Sequence, residues 1–321
     1  MNRFIPTLAA MRALQAAIRH ENFSAAAIEL GVTQGAISHK IKDLEVRLGV
    51  LLFRREARGT VPTQAARRLG RAIGIGMSVI HEALEEIMDS RAGKTVSISA
   101  LPGFAVLWLF PRLIDFDERF PGISVSLETS DRLTDIAAGD AHLAIRYGRG
   151  NYSGVNVEKL LDDHMFPVCS TAFLEANGPF ESPQDLLGHT LLIDDTQSIE
   201  GIRPSWQRWF ELAGEEFRPN VIFKKFGQSN MVVQAALAGR GIALGRSALV
   251  VDELRKGKLV IPVRRVFPSG FCHYLVSARN RSQSSHVIEF RRWIKQQAET
   301  SRLEILHLLD GSVVDVESEA Q

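Results

Sequence analysis

Only two cysteines occur in 321 residues, and Cys169 and Cys272 sit far apart with no metal-like spacing. A disulfide framework and a thiolate metal site are therefore not organising features, and a reduced, cytoplasmic setting is expected. Buried structural cysteine is the default reading of both residues, with a redox-sensing pair as the alternative. No apolar run reaches the roughly 18 residues that span a bilayer, so no membrane contact is expected. Residues 1–20 spread Arg3, Arg12 and Arg19 through an amphipathic pattern where an export signal would need an apolar core. The G-x-S-x-G, H-E-x-x-H, P-loop and paired-cysteine patterns are missing. His164 beside Asp162 and Asp163 is the one weak constellation left for an enzyme, and neither cofactor nor metal is expected.

The chain also lacks net charge, at +1, but the balance is local. Residues 1–72 hold 12 basic and 5 acidic side chains, about +7, and the remainder holds 26 basic and 32 acidic, about −6. Phosphate binding needs a positive region rather than a positive protein. Length implies two or three compact units.

The basic head carries the most informative stretch, SAAAIELGVTQGAISHKIKDLEVRL at residues 24–48. It reads as a short alanine-rich helix, a turn at Gly31 and a longer helix, with Ser24 and Thr33 as N-caps and Gly31 as a left-handed stop. Ahead of it, Leu8, Met11, Leu14 and Ile18 recur at helical spacing. Ile37, Ile41, Leu44 and Leu48 form the inward stripe of the longer helix. Its leading face of Thr33, Gln34, Ser38, His39 and Lys42 has little to bury and much to hydrogen-bond, as in a helix laid in the DNA major groove. Gln34 suits an adenine edge, Ser38 and Lys42 suit phosphate, and His39 is either a contact or simply exposed. Leu51, Leu52 and Phe53 then lead into Arg54, Arg55 and Arg58 before Val61-Pro62, which reads as a basic wing with a solvated loop as the alternative.

From Thr63, a possible N-cap, a helix follows in which Ile73, Met77, Ile80, Leu84 and Ile87 make a seam of about two and a half heptads. Such a seam predicts a second copy of the chain, and paired heads suit paired half-sites.

Beyond Arg91 the period changes. Strands at Val96-Ile98, Ile123-Leu127 and Leu143-Tyr147 alternate with helices, with Pro111 expected to kink or delay the first of these. A second set runs from Met165-Cys169 through Leu191-Ile193, Trp206-Trp209, Val221-Phe223, helix 229–238 and Gly241-Leu244. Strand Tyr274-Val276 and helix 286–298 return to the first set. Mostly parallel sheets in two α/β lobes are expected. Ligands in such sheets sit beyond strand carboxyl ends, where helices begin. That rule selects Pro102, Gly103, Phe104, Ser130, Asp131, Arg146, Tyr147, Gln228 and Ser229. An arginine with helix N-termini suggests a small anion such as a carboxylate, with Asp131 free to meet an amine. Ser229 as a plain N-cap and Arg146 as a structural ion-pair partner are the competing readings.

The run from Phe4 to Gln64, above all FSAAAIELGVTQGAISHKIKDLEVRLGVLLFRR followed by VPTQA, closely resembles the N-terminal domain of LysR-type transcriptional regulators. LAIRYGRG and LAGRGIALG look like the branch containing glycine-cleavage activators and β-lactamase regulators. The resemblance covers the chain to about residue 300. It implies an α N-terminal winged helix-turn-helix plus an α/β two-lobed, periplasmic-binding-protein-like effector domain. The implied division is a DNA-binding domain at 1–62, a dimerisation helix at 63–91, an effector domain at 92–300 and a C-terminal extension at 301–321, part helix and part disordered. It further implies a homodimer or homotetramer on double-stranded promoter DNA, a small-molecule effector in the cleft, and RNA polymerase as a further partner. His39 departs from the arginine that the family often carries there. A solute-binding protein is the remaining alternative, against which stand the DNA-like head and the missing export signal.

Overall fold

The computed structural model describes residues 4–56, 59–88, 94–130, 136, 141–195, 205–217, 222–279 and 284–309, with the backbone alone at 55, 56, 59, 78, 81–83 and 85–88. The chain divides into a head and a larger body. No helix among the described residues is long and apolar enough to cross a membrane.

The head begins with α1 (Leu8–His20), α2 (Phe23–Leu30) and α3 (Gln34–Leu48). Strands β1 (Phe53–Glu56) and β2 (Gly59–Pro62) pair antiparallel as the expected wing, and α4 (Gln64–Met88) follows. Small residues set the packing. The deepest face of α1 is Ala10, Ala13, Leu14, Ala16 and Ala17, so the stripe lies one residue round from the expected one, and Leu8 is 56% exposed. Alanines let α2 and α4 come close; a Cβ on Gly70 of α4 would stand 2.5 Å from the Ile18 side chain. Gly31 ends α2 at φ 64° and Thr33 caps α3 as expected. The cap of α2, however, is Asn22 rather than Ser24: its Oδ1 accepts from the N–H groups of Ser24 and Ala25 at 2.8 and 3.1 Å. Ile37, Ile41 and Leu44 are buried, while Leu48 reaches the surface. Glu45 fastens the wing to α3 by accepting from the Leu52 and Phe53 N–H groups at 2.7 and 3.1 Å. The Thr60 N–H closes the other side by donating to the Glu21 carbonyl at 3.1 Å.

The body starts with β3 (Lys94–Ala100), α5 (Pro102–Phe104), a π turn at Ala105–Leu109 and α6 (Phe110–Arg119). Pro111 neither delays nor stops this helical run, which begins at Pro102. The wide turn changes the hydrogen-bond register just before a residue with no N–H to donate. Next come β4 (Ile123–Thr129), β5 (Leu143–Gly148), β6 (Val155–Ser170), α7 (Thr171–Asn177) and β7 (Leu191–Asp194). The chain continues through α8 (Trp206–Leu212), β8 (Phe223–Phe226), α9 (Ser229–Leu237), β9 (Ile242–Arg246) and α10 (Ser247–Arg255). It closes with β10 (Leu259–Val260), β11 (Phe267–Ala278) and α11 (Ser285–Leu308). The helix expected to end at Gly139 lies outside the described residues.

Strand order is β4-β3-β5-β11-β6-β9-β7-β8, with β10 beside β6. The pairs of β3 with β4 and β5, and of β7 with β8 and β9, are parallel. Those of β5 with β11, and of β6 with β9 and β10, are antiparallel. The sheet is thus mixed rather than mostly parallel. Two parallel groups flank the long strands β6 and β11, which carry the chain from one half to the other and back; Met165-Cys169 is the second part of β6 rather than a new strand.

One core fills the first half and the junction, and a second, with Trp206, Trp209, Phe210 and Cys169, fills the other half. All four indole N–H groups find acceptors: Ser301, Leu192, Arg265 and Asp115. Burial pushes the Cys169 thiol up to about 12, so it is no thiolate. Arg112 on α6 joins α10 and α11. It meets both Asp252 oxygens at 2.8 and 3.0 Å, the Trp108 carbonyl at 2.8 Å and the Ser301 hydroxyl at 3.0 Å. Because α11 runs to Leu308 and buries Ser301, Ile305 and Leu309, the boundary at 300 cuts a core helix. Residues 310–321 lie outside the described part. Asp252→Ala would leave the Arg112 guanidinium buried without its counter-charge, at a cost of about 3 kcal/mol. The expected outcome is a lower denaturant midpoint of the body transition, measured on the full chain.

Candidate functional site

On the head, the start of α3 is presented rather than packed. Thr33, Gln34, His39 and Lys42 are exposed and Ser38 is half-buried. The Thr33 hydroxyl accepts from the Ala36 N–H at 3.2 Å, so its oxygen serves the helix first. Gln34, Ser38 and Lys42 stand one helical turn apart on one face, and a Cβ added at neighbouring Gly35 would meet open space. Arg54 is exposed on β1. The Arg55 side chain and all of Arg58 lie outside the described residues. One face of a capped helix with spare donors and acceptors, followed by a wing whose first strand carries Arg54, can meet phosphates and base edges at once.

The seam of α4 divides. Ile73 is buried and Met77 half-buried against the head's own core, which takes Ile73 out of the expected interface. Ile80 and Leu84 are 54% and 49% exposed. The Ile87 side chain is outside the described set.

In the body, the selected residues partly converge. The two helix starts meet, since a Cβ on Gly103 would lie 2.9 Å from the Ser229 Cβ. Gln228 is the N-cap of α9 but makes no side-chain cap bond. Ser229 is no cap; its hydroxyl donates to Asp194 Oδ2 at 2.6 Å, at the end of β7. Pro102 is half-buried at the start of α5, and Ser130 donates its N–H to the Ala100 carbonyl at 3.2 Å, beside the carboxyl end of β3. The Phe104 ring is turned into the core, 4.8 Å from Trp108 and 4.5 Å from His273. Asp131 lies outside the described residues. Arg146 and Tyr147 cannot share a face, because neighbours on a strand point opposite ways. The register sets Tyr147 beside His273 and Arg146 beside Tyr274, so Arg146 leaves the set.

The arginine that does stand with Tyr147 is Arg246, at the carboxyl end of β9. Its guanidinium carbon lies 3.6 Å from the Tyr147 ring centroid, and its Nε donates to Asp163 Oδ2 at 3.1 Å. The Tyr147 hydroxyl donates to the same oxygen at 2.8 Å and lies 3.3 Å from the Ser269 hydroxyl. Burial, with the Asp163 charge, holds the Tyr147 phenol well above its ordinary range, so it stays a donor. Burial opposes the Arg246 charge, but Tyr147, Asp163 and Asp194 outweigh it and keep the cation. His273, 5.0 Å from the Tyr147 ring, is pushed down to about 3 by burial and by Arg246. Asp163 Oδ1 and His273 Nδ1 are buried with no partner among the described residues. Asp194, Arg246 and His273 escaped the sequence reading, and Asp163 entered it only beside His164 as a weak enzyme constellation. Asp194 and Arg246 had a usable signal, since each ends a strand that the carboxyl-end rule covers. Asp163 and His273 lie within long strands and had none. Among the described residues no group of acidic, histidine and cysteine side chains could hold a metal ion.

Because His273 ionises near 6.5 when unfolded and near 3 when folded, the unfolded chain binds more protons between those values. This contribution to stability is complete above about pH 6.5 and is lost as pH falls towards 3. Denaturant midpoints across that window should fall less steeply for His273→Gln than for the parent chain.

The family described as bacterial regulatory helix-turn-helix protein, lysR family, matches residues 8–67, and that described as LysR substrate binding domain matches residues 90–299. The glycine cleavage system transcriptional activator of Escherichia coli (strain K12) is 38% identical over 298 residues, 93% of this chain and 96% of that protein. The HTH-type transcriptional activator AmpR of Pseudomonas aeruginosa is 34% identical over 292 residues, 91% of this chain and 95% of that protein. The X-ray structure of the AmpR effector domain from the same organism, 28% identical, aligns with a TM-score of 0.54 over 66% of this chain and all (100%) of that domain.

Proposed function

The chain belongs to the LysR family of transcriptional regulators, with an effector-binding domain behind its helix-turn-helix, and from that premise we propose that it binds promoter DNA as a homodimer or homotetramer and answers to a small carboxylate, amino-acid-like in form, held between the halves of its body. It is a regulator rather than an enzyme. The observation that carries the DNA reading is the open face of α3, where Gln34, His39 and Lys42 are exposed at the start of a well-capped helix. Gln34 reads a base edge; Ser38, Lys42, Arg54, Arg55 and Arg58 hold phosphates. The oligomer reading rests on Ile80 and Leu84, apolar and exposed at heptad spacing on α4. The site of action is the cytoplasm, where promoter DNA meets RNA polymerase.

A gel-shift titration of the full chain on its own promoter region, repeated across salt concentrations, tests this. Binding that shows no sequence preference at any salt would defeat it. Gln34→Ala should cost about 1–3 kcal/mol and relax preference at one base pair. Lys42→Ala should weaken binding to every sequence and flatten the salt slope by about one unit. Equal losses of both kinds in both variants would overturn the division of roles. A separate check is association: Leu84→Asp should shift sedimentation toward smaller species at micromolar concentration, and an unchanged profile would remove the seam from the interface.

A further inference from the structure

Arg246 is only half used by its own chain. Nε is taken by Asp163 and the flat face by Tyr147, yet among the described residues nothing accepts a hydrogen bond from Nη1 or Nη2. The side chain is 15% exposed, and neither Nη is among the buried, unpartnered atoms. A guanidinium fixed on one edge and one face, with its other edge open at the end of a strand, is a preorganised fork. Asp194, which takes the Ser229 hydroxyl at the α9 start, also supports the Arg246 charge.

We propose that Arg246 is the receptor for the effector's carboxylate, that Asp163 and Tyr147 are its positioning residues, and that the effector is a zwitterionic α-amino acid rather than a bare acid. The proposal rests on the reading of the body as an effector domain. Two parallel N–H···O bonds from Nη1 and Nη2 match the two oxygens of a planar carboxylate. The choice of zwitterion follows from charge. Asp163 already pairs with this guanidinium, so a bare carboxylate would add an uncompensated negative charge in a poorly solvated place. An ammonium group on the same ligand cancels it, and Asp163 Oδ1, buried and unpartnered among the described residues, is an acceptor in the same cluster.

The test is calorimetry on the full chain with the protein amino acids taken one at a time. Each binder is compared with its own amide, and acetate and inorganic phosphate serve as anion controls. At least one amino acid should bind, with its amide, acetate and phosphate each about tenfold or more weaker. Arg246→Lys keeps the charge without the fork and should also lose about tenfold, together with most of the discrimination between acid and amide. Variants are used only if they melt cooperatively. A role confined to holding the fold would lower the melting temperature and leave the acid-to-amide ratio of Arg246→Lys unchanged, which overturns the proposal. So would an amide binding as tightly as its acid, acetate or phosphate binding as tightly as any amino acid, or no amino acid binding at all. A neutral compound that alters promoter binding by the parent chain and by Arg246→Lys alike would remove the proposal and leave the effector reading intact. Promoter binding that responds to no small molecule would remove the effector reading itself.

Discussion

A guanidinium removed from most of its water must keep company with opposite charge, and in the body of this protein that requirement is met where the two long strands run side by side. Arg246 from one half, Tyr147 from the other and Asp163 from the strand between them satisfy one another within 3.6 Å. Removing Arg246 or Asp163 would strand a charge in a low-dielectric place, where an unpaired group costs far more than a surface one. The same arrangement leaves one edge of the arginine open. The group that knits the halves together is therefore also the one with binding capacity to spare.

The head works by the opposite means. Its core is built from alanine and a few branched residues, so that helices approach closely and the polar start of α3 is left outside. Thr33, Asn22, Gly31 and Glu45 each satisfy backbone groups at helix ends or at the root of the wing. With those groups satisfied internally, Gln34, His39 and Lys42 remain exposed. In the body a charged group is buried and partly used; in the head polar groups are exposed and unused. Both are ways of keeping recognition chemistry available without weakening the fold.

Local signals were legible where one short stretch of chain decides the outcome. The turn at Gly31, the cap at Thr33, the wing around Arg54 and the strand ending at Tyr147 could all be read from spacing and residue type. Ser24 was misplaced as a cap because the helix starts one residue earlier, at Phe23, where Asn22 takes the Ser24 and Ala25 N–H groups. Arg146 was selected and Arg246 missed because the pairing of Tyr147 with Arg246 depends on the folding of the sheet rather than on spacing along one strand. Ile73 looked like interface because a heptad pattern cannot distinguish another copy of the chain from α1 of the same head.

The amino-acid order by itself determined the family, the helix-turn-helix, the wing and the alternation of strands and helices. These depend on periodicity and capping between residues a few positions apart. Tertiary structure alone decided which arginine is buried, that Asp163 and His273 belong with Tyr147, and that the sheet is mixed. Those facts arise from contacts between residues as far apart as Tyr147 and Arg246, and the pleat of a strand assigns each side chain to a face only once its neighbours are known.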